Sequence, residues 1–133
     1  MQFKQLKLIH LVTLLCLSVF AYSTYSIAQE KDGLLKIYFF DIGQGDSILI
    51  ETPNGNQVLI DGGPDNKVLQ KLGEVMPFFD KSIDMVVLTH SDADHITGLI
   101  EVLKRYKVKN IVYSDIVRKS DLYNAWQKAV AEE

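Results

Sequence analysis

The stretch Ile83-Asp84-Met85-Val86-Val87-Leu88-Thr89-His90-Ser91-Asp92-Ala93-Asp94-His95 constrains this chain more than any other. It is an apolar run that ends in four potential metal ligands within six residues. Ile83 and Met85 to Leu88 read as a short buried strand. His90, Asp92, Asp94 and His95 then fall at its carboxyl end, where the strands of an α/β sheet present ligands to a site. His90 and Asp92 are two apart, so an extended backbone aims both the same way, whereas the adjacent Asp94 and His95 must diverge. That spread suits two metals better than one. Imidazole nitrogen with carboxylate oxygen fits a borderline or hard divalent ion, zinc first and manganese second, and the loop offers no thiolate to favour a softer one. Of the three histidines in the chain, only His10 lies elsewhere, inside an apolar leader. The plainer alternative is that Ser91, Asp92 or Asp94 caps a helix starting near Ile96. A cap needs one acceptor and explains neither the second aspartate nor the two histidines.

With 133 residues the chain has room for one modest domain. Residues 1–28 read as a secretory signal peptide: Lys4 and Lys7, a mostly apolar stretch from Leu8 to Tyr22, and small residues at Ser26 and Ala28. The alternative is an uncleaved membrane anchor over residues 8–28. Either way residues 29–133 are expected outside the cytoplasmic membrane, secreted or periplasmic. The formal charge is −3; removing Lys4 and Lys7 leaves 12 of the 14 basic residues against 17 acidic, a net of −5. Such a balance does not advertise nucleic-acid binding, although two divalent ions would reverse the sign locally. The single cysteine, Cys16, sits mid-leader, so no disulfide framework is possible.

Leu34 to Phe40, Ser47 to Glu51 and Gln57 to Ile60 are expected as strands, the last two joined as a hairpin through Pro53-Asn54-Gly55-Asn56. Asn66 to Met76 has helical spacing and is stopped by Pro77. After the ligand loop, Ile96, Leu99, Ile100 and Leu103 form one face of a helix reaching Tyr106, with Glu101 and Arg105 paired on the other. Val108 to Tyr113 follows as a strand, and strand–helix–strand order implies parallel pairing with 83–89. Lys104, Arg105, Lys107 and Lys109 read as a solvated helix end or, alternatively, a phosphate-tracking edge. A last helix from Ser120 or Asp121 carries Trp126 as a core residue. It meets no stop signal before Glu133, so further chain is expected.

Two loops remain. In Asp41-Ile42-Gly43-Gln44-Gly45-Asp46 the glycines permit a sharp strand-to-strand turn, and neither a dinucleotide fingerprint nor a P-loop is present. Asp61-Gly62-Gly63-Pro64 is either a plain turn or a contributor to the site. Thr-His-Ser-Asp-Ala-Asp-His at 89–95 resembles the His-x-His-x-Asp-His signature of metallo-β-lactamase-fold hydrolases, with aspartate at Asp92 where many members carry histidine. Joined to Phe40-Asp41-Ile42-Gly43-Gln44-Gly45-Asp46, it is similar to the hydrolase domain of ComEC-type DNA-uptake competence proteins, over roughly residues 35–113.

This resemblance implies an α/β fold: the N-terminal half of a metallo-β-lactamase-type αβ/βα sandwich with a mixed sheet, preceded by the signal or anchor helix. It also implies two divalent metal ions, with His90 and Asp92 serving the first and Asp94 and His95 the second. Asp94 would orient a bridging hydroxide as the catalytic residue, Asp61 would orient a ligand histidine, and the 41–46 loop would border the cleft. The expected activity is metal-dependent hydrolysis, with extracytoplasmic DNA or another phosphodiester as substrate. Other esters, thioesters and lactams are the alternative substrates. The superfamily completes both metals with later residues, and no histidine follows His95, so an incomplete domain or a non-catalytic metal-binding or interaction module is the other reading. No protein partner is inferred, and contact with a membrane is expected only through the N-terminal segment.

Overall fold

A computed structural model describes residues 10–22, 33–114 and 120–133. The chain divides into two units, Met1–Asp32 and Gly33–Glu133. In the first, residues 10–22 are helical, with Leu11, Leu14, Leu15, Leu17 and Phe20 exposed. These 13 residues fall short of the 20 or so that cross a bilayer. Among the described residues no helix is long and apolar enough to do so. The rest of the expected leader, 1–9 and 23–28, lies outside the described residues.

The second unit runs β1 (Lys36–Phe39), β2 (Ile48–Glu51), β3 (Gln57–Ile60), α1 (Lys67–Val75), β4 (Ser82–Ile83), β5 (Met85–Leu88), α2 (Ala93–Leu103), β6 (Lys107–Val108), β7 (Ile111–Tyr113) and α3 (Asp121–Ala131). Five strands form a mixed sheet in the order β1-β2-β3-β5-β7. The first two pairings are antiparallel and the next two parallel; the hairpin predicts β2 with β3 and the crossover predicts β5 with β7. The hairpin closes at Thr52, whose carbonyl accepts from the Gly55 amide at 2.7 Å.

The strands expected over 83–89 and 108–113 each break in two. Asp84 is the cause. Its carboxylate takes the Gln57 amide at 2.8 Å and the Lys109 ammonium at 2.6 Å, and its carbonyl takes the Asn110 side chain at 3.0 Å. These bonds turn the chain at Asp84 and at Lys109-Asn110, so β4 and β6 pair separately as a two-stranded parallel ribbon. The Glu101–Arg105 pair is also replaced: Lys104, three residues on, meets Glu101 at 2.7 Å.

Register sorts the side chains by face, because alternate residues of a strand point oppositely. Tyr38, Leu49, Leu59, Val86 and Ile111 lie in one row. They meet Val68 and Leu72 of α1, Ile96, Leu99 and Val102 of α2, and Tyr123 and Trp126 of α3 in a single core. The neighbouring rows, Ile37-Ile50-Val58-Met85 and Phe39-Ile48-Ile60-Val87-Val112, point the other way. All nine are apolar, and none belongs to the core.

Trp126 is a core residue, as expected, with Tyr113 edge-on at 5.9 Å between ring centroids. Its indole Nε1 is buried without a hydrogen-bond partner. An unmet buried donor costs about 1–3 kcal/mol, which offsets much of what the larger ring contributes over phenylalanine. Trp126→Phe is therefore expected to change stability by about 1 kcal/mol or less, whereas Trp126→Ala loses about 3–5 kcal/mol. Urea unfolding of the two variants measures the contrast.

Candidate metal centre

The ligand residues sit where parallel strands end and α2 begins. β5 ends at Leu88, residues 89–92 form a short irregular connection, and α2 starts at Ala93 rather than near Ile96. Asp94 and His95 therefore occupy the first helical turn. Asp92 is the N-cap residue by position, with φ −73° and ψ 148°, yet its side chain makes no capping hydrogen bond. The capping account fails for the residue best placed to satisfy it. The early helix start also corrects the expected divergence of Asp94 and His95: the Asp94 Oδ1 and His95 Nε2 tips approach to 4.0 Å.

Asp61 anchors the site. It follows β3, is almost fully buried, and has φ 56°, a left-handed conformation that aspartate tolerates better than most residues. Its amide continues the sheet by donating to Val87 O at 2.9 Å, and Ser47 Oγ donates to its carbonyl at 3.1 Å. Oδ1 accepts from the Thr89 amide at 2.9 Å. Oδ2 accepts from Thr89 Oγ1 at 2.6 Å and lies 2.9 Å from His95 Nδ1. The loop that carries Asp61 rests directly on α2. A side-chain carbon at Gly98 would lie 1.8 Å from Gly62 O, and one at Gly62 would lie 2.3 Å from the Leu99 amide nitrogen. Only glycines let the backbones approach this closely.

These bonds fix where the imidazole protons sit. A carboxylate only accepts, so His95 Nδ1 carries the proton in its bond to Asp61. Thr89 spends its one hydroxyl proton on Asp61, so Thr89 Oγ1 is the acceptor in its 2.9 Å contact with His90 Nδ1. Both Nδ1 atoms are thus donors, and both Nε2 atoms keep a bare lone pair in the neutral rings. The His90 and His95 rings lie 3.9 Å apart between centroids. His90 Nε2 faces Asp92 Oδ2 at 3.7 Å, as His95 Nε2 faces Asp94 Oδ1.

In each pair a bare nitrogen confronts a carboxylate oxygen, beyond hydrogen-bond reach. Two donors on one tetrahedral zinc stand roughly 3.3 Å apart, so each pair needs to close by only a few tenths of an ångström to chelate a cation. The donor set therefore fits divalent metal. Ligand atoms of Asp61, His90 and His95 also lie within 4.8 Å of one another. Asp61 accepts three hydrogen bonds, one of them from the His95 ring, and also belongs to that group.

The site has two flanks. Gln44 Nε2 donates to Asp94 Oδ2 at 3.2 Å from the loop between β1 and β2. On the other side a cavity of about 130 Å³ adjoins His90 and Asp92, lined among the described residues also by Leu88, Thr89, Ser91, Ser114 and Tyr123. The sequence named His90, Asp92, Asp94, His95 and Asp61, and all five meet here. Thr89 and Gln44 were missed as contributors; the signals for them were adjacency to His90 and a position between two glycines.

A mixed sheet delivering histidines and aspartates from a strand end into a helix start defines a metallohydrolase class. The family model described as Metallo-beta-lactamase superfamily matches residues 40–127, and the chain belongs to that superfamily. Among curated relatives it is 34% identical over 111 residues to ComE operon protein 3 of Bacillus subtilis, covering 71% of this chain and 14% of that protein. It is 34% identical over 73 residues to a UPF0173 metal-dependent hydrolase of Thermodesulfovibrio yellowstonii, covering 53% of this chain and 26% of the relative. It is also 36% identical over 101 residues to microtubule-associated protein 1A of Homo sapiens, covering 72% of this chain and 3% of that protein. The chain thus spans a small part of the relatives it matches. Superfamily membership and the metal-dependent hydrolase relative support a hydrolase.

Proposed function

We propose that this chain carries the metal-binding half of a dinuclear hydrolase site acting on phosphodiester bonds, with extracytoplasmic nucleic acid as the substrate class. The observation that carries this reading is the proton arrangement: Asp61 and Thr89 hold both imidazoles with bare Nε2 atoms, each facing its own carboxylate. His90 with Asp92 would hold one ion and Asp94 with His95 the other, zinc or manganese by donor type. Remaining coordination positions fall to water or to further protein groups. Bound divalent ions supply a water acidified toward neutrality and a Lewis acid for the substrate oxygen.

The chain's own residues do the rest. Asp61 and Thr89 hold the rings oriented through their Nδ1 atoms. Asp94, braced by Gln44, is the acceptor available to a proton leaving water. Leu88 and Tyr123 border the cavity where the substrate's flank would lie. The resemblance to ComE operon protein 3 and the basic-then-apolar start both favour the extracytoplasmic setting. The half-sandwich expectation belongs to the same reading, because the nine-residue apolar face is the kind a second layer covers.

A second reading is a non-catalytic binding module, favoured by the similarity to a protein named for association with microtubules. Metal analysis of the purified full chain separates the two. The hydrolase reading expects up to two divalent ions per chain, and cleavage of bis(p-nitrophenyl) phosphate that EDTA abolishes and zinc or manganese restores. A folded chain that binds no stoichiometric metal and is indifferent to chelator would leave only the module.

A further inference from the structure

The glycine-rich loop between β1 and β2 lies outside the proposed donor set, yet it touches both Asp94, at its carboxylate, and Asp61, at its backbone carbonyl. Gln44 donates to Asp94 Oδ2, while Ser47, at the other end of the loop, donates to the Asp61 carbonyl. The Gly63 amide donates to Asp46 O at 3.1 Å, tying the loop to the segment that follows Asp61. Gly45 adopts φ 79°, and a side-chain carbon there would lie 1.9 Å from Asp94 O and 2.8 Å from Asp94 Cβ. The loop is therefore pressed against the first turn of α2, and the close approach brings the Gln44 amide within reach of the Asp94 carboxylate.

That contact has a chemical consequence. Asp94 is in the first turn of α2, partly exposed, and its carboxylate could rotate about its terminal torsion, which is broad for aspartate. The bond from Gln44 to Oδ2 removes that freedom and leaves Oδ1 turned toward His95 Nε2, 4.0 Å away. We infer that Gln44 is a positioning residue for the Asp94–His95 metal pair: its amide donor selects which carboxylate oxygen faces the ion. Groups that hold a ligand from behind in this way typically change metal affinity 10–100-fold when lost. The inference rests on the metal-site reading above and extends it to a residue that touches neither metal nor substrate.

The test uses the metal-stripped full chain and zinc alone, titrated calorimetrically into wild type, Gln44→Ala and Gln44→Glu, with thermal unfolding of each apo protein as the folding control. If the amide donor matters, Gln44→Ala weakens zinc binding about tenfold. Gln44→Glu has nearly the same shape but cannot donate when ionised, and it sets a like charge beside Asp94; it is expected to bind zinc more weakly than the alanine variant. If Gln44 merely fills space, the order reverses, with glutamate close to wild type and alanine worse, and the inference is overturned. Equal affinity in all three chains overturns it as well. Should either variant unfold, Gln44→Met, which keeps the length without a donor, takes its place and must fall with alanine. Wild-type protein that takes up no zinc sinks the metal reading itself, a result distinct from any ordering among variants.

Discussion

Asp94→Ala is expected to lower metal-dependent phosphodiester hydrolysis by about a thousandfold or more while leaving the fold standing. On the proposed mechanism the chemical step would depend on water whose pKa falls toward neutrality on a bound ion. Removing Asp94 takes away one of the two groups proposed for the second metal position, and the carboxylate that Gln44 braces. The structural cost is small. Asp94 lies partly exposed in the first turn of α2, where a carboxylate contributes about 0.3–1 kcal/mol through the helix dipole. Initial rates on bis(p-nitrophenyl) phosphate, with urea unfolding measured on the same preparations, separate the effects. Undiminished cleavage by the alanine variant would remove the proposed mechanism.

Asp61→Ala is the second large effect, and it acts on fold and site together. The buried carboxylate accepts the Thr89 amide, the Thr89 hydroxyl and the His95 imidazole. Its removal strands the buried His95 Nδ1 donor, at about 1–3 kcal/mol, while the exposed Thr89 donors can turn to water. Alanine is also poorly suited to the φ of 56° at this position, a further ~1 kcal/mol. A total loss of about 2–4 kcal/mol is expected, together with weakened metal binding as the His95 ring is freed to turn. Asp61→Asn divides the causes, because asparagine tolerates the left-handed backbone and keeps one acceptor oxygen. Its stability should fall between the other two chains, with zinc affinity reduced by 10–100-fold. A loss of only ~1 kcal/mol in the alanine variant, with zinc affinity unchanged, would show that Asp61 is only a turn residue.

How much of this was legible in the sequence depended on how local each cause is. The strand ending at Leu88 and the four ligands after it follow from a short apolar run and residue chemistry, and the hairpin at Pro53-Asn54-Gly55 follows from turn preferences. Asp61 was located but not resolved: a turn and an orienting carboxylate gave the same Asp-Gly-Gly, and the structure makes it both. The start of α2 was placed late because Asp92 and Asp94 resemble caps, and only the structure reveals that Asp92 holds the cap position while its carboxylate accepts no capping hydrogen bond. The break at Asp84 depends on Gln57 and Lys109, and the one at Asn110 on Asp84, each more than 20 residues away in sequence. Gln44 was the least visible, since its partner lies 50 residues downstream. A glycine-flanked glutamine has no periodicity to betray it; the signal exists only once Gly45 is seen against the backbone of Asp94.

The sheet face turned away from the core sets apart two properties that usually travel together. Phe39 is 77% exposed there, while Leu49, one pleat away on the adjoining strand, is 1% exposed beneath the helices. A polar replacement at Phe39 alters how molecules meet one another and leaves the folded interior intact; the same replacement at Leu49 decides whether there is a folded interior at all. For this chain colloidal behaviour and conformational stability can therefore be tuned from opposite sides of one layer only a few ångströms thick.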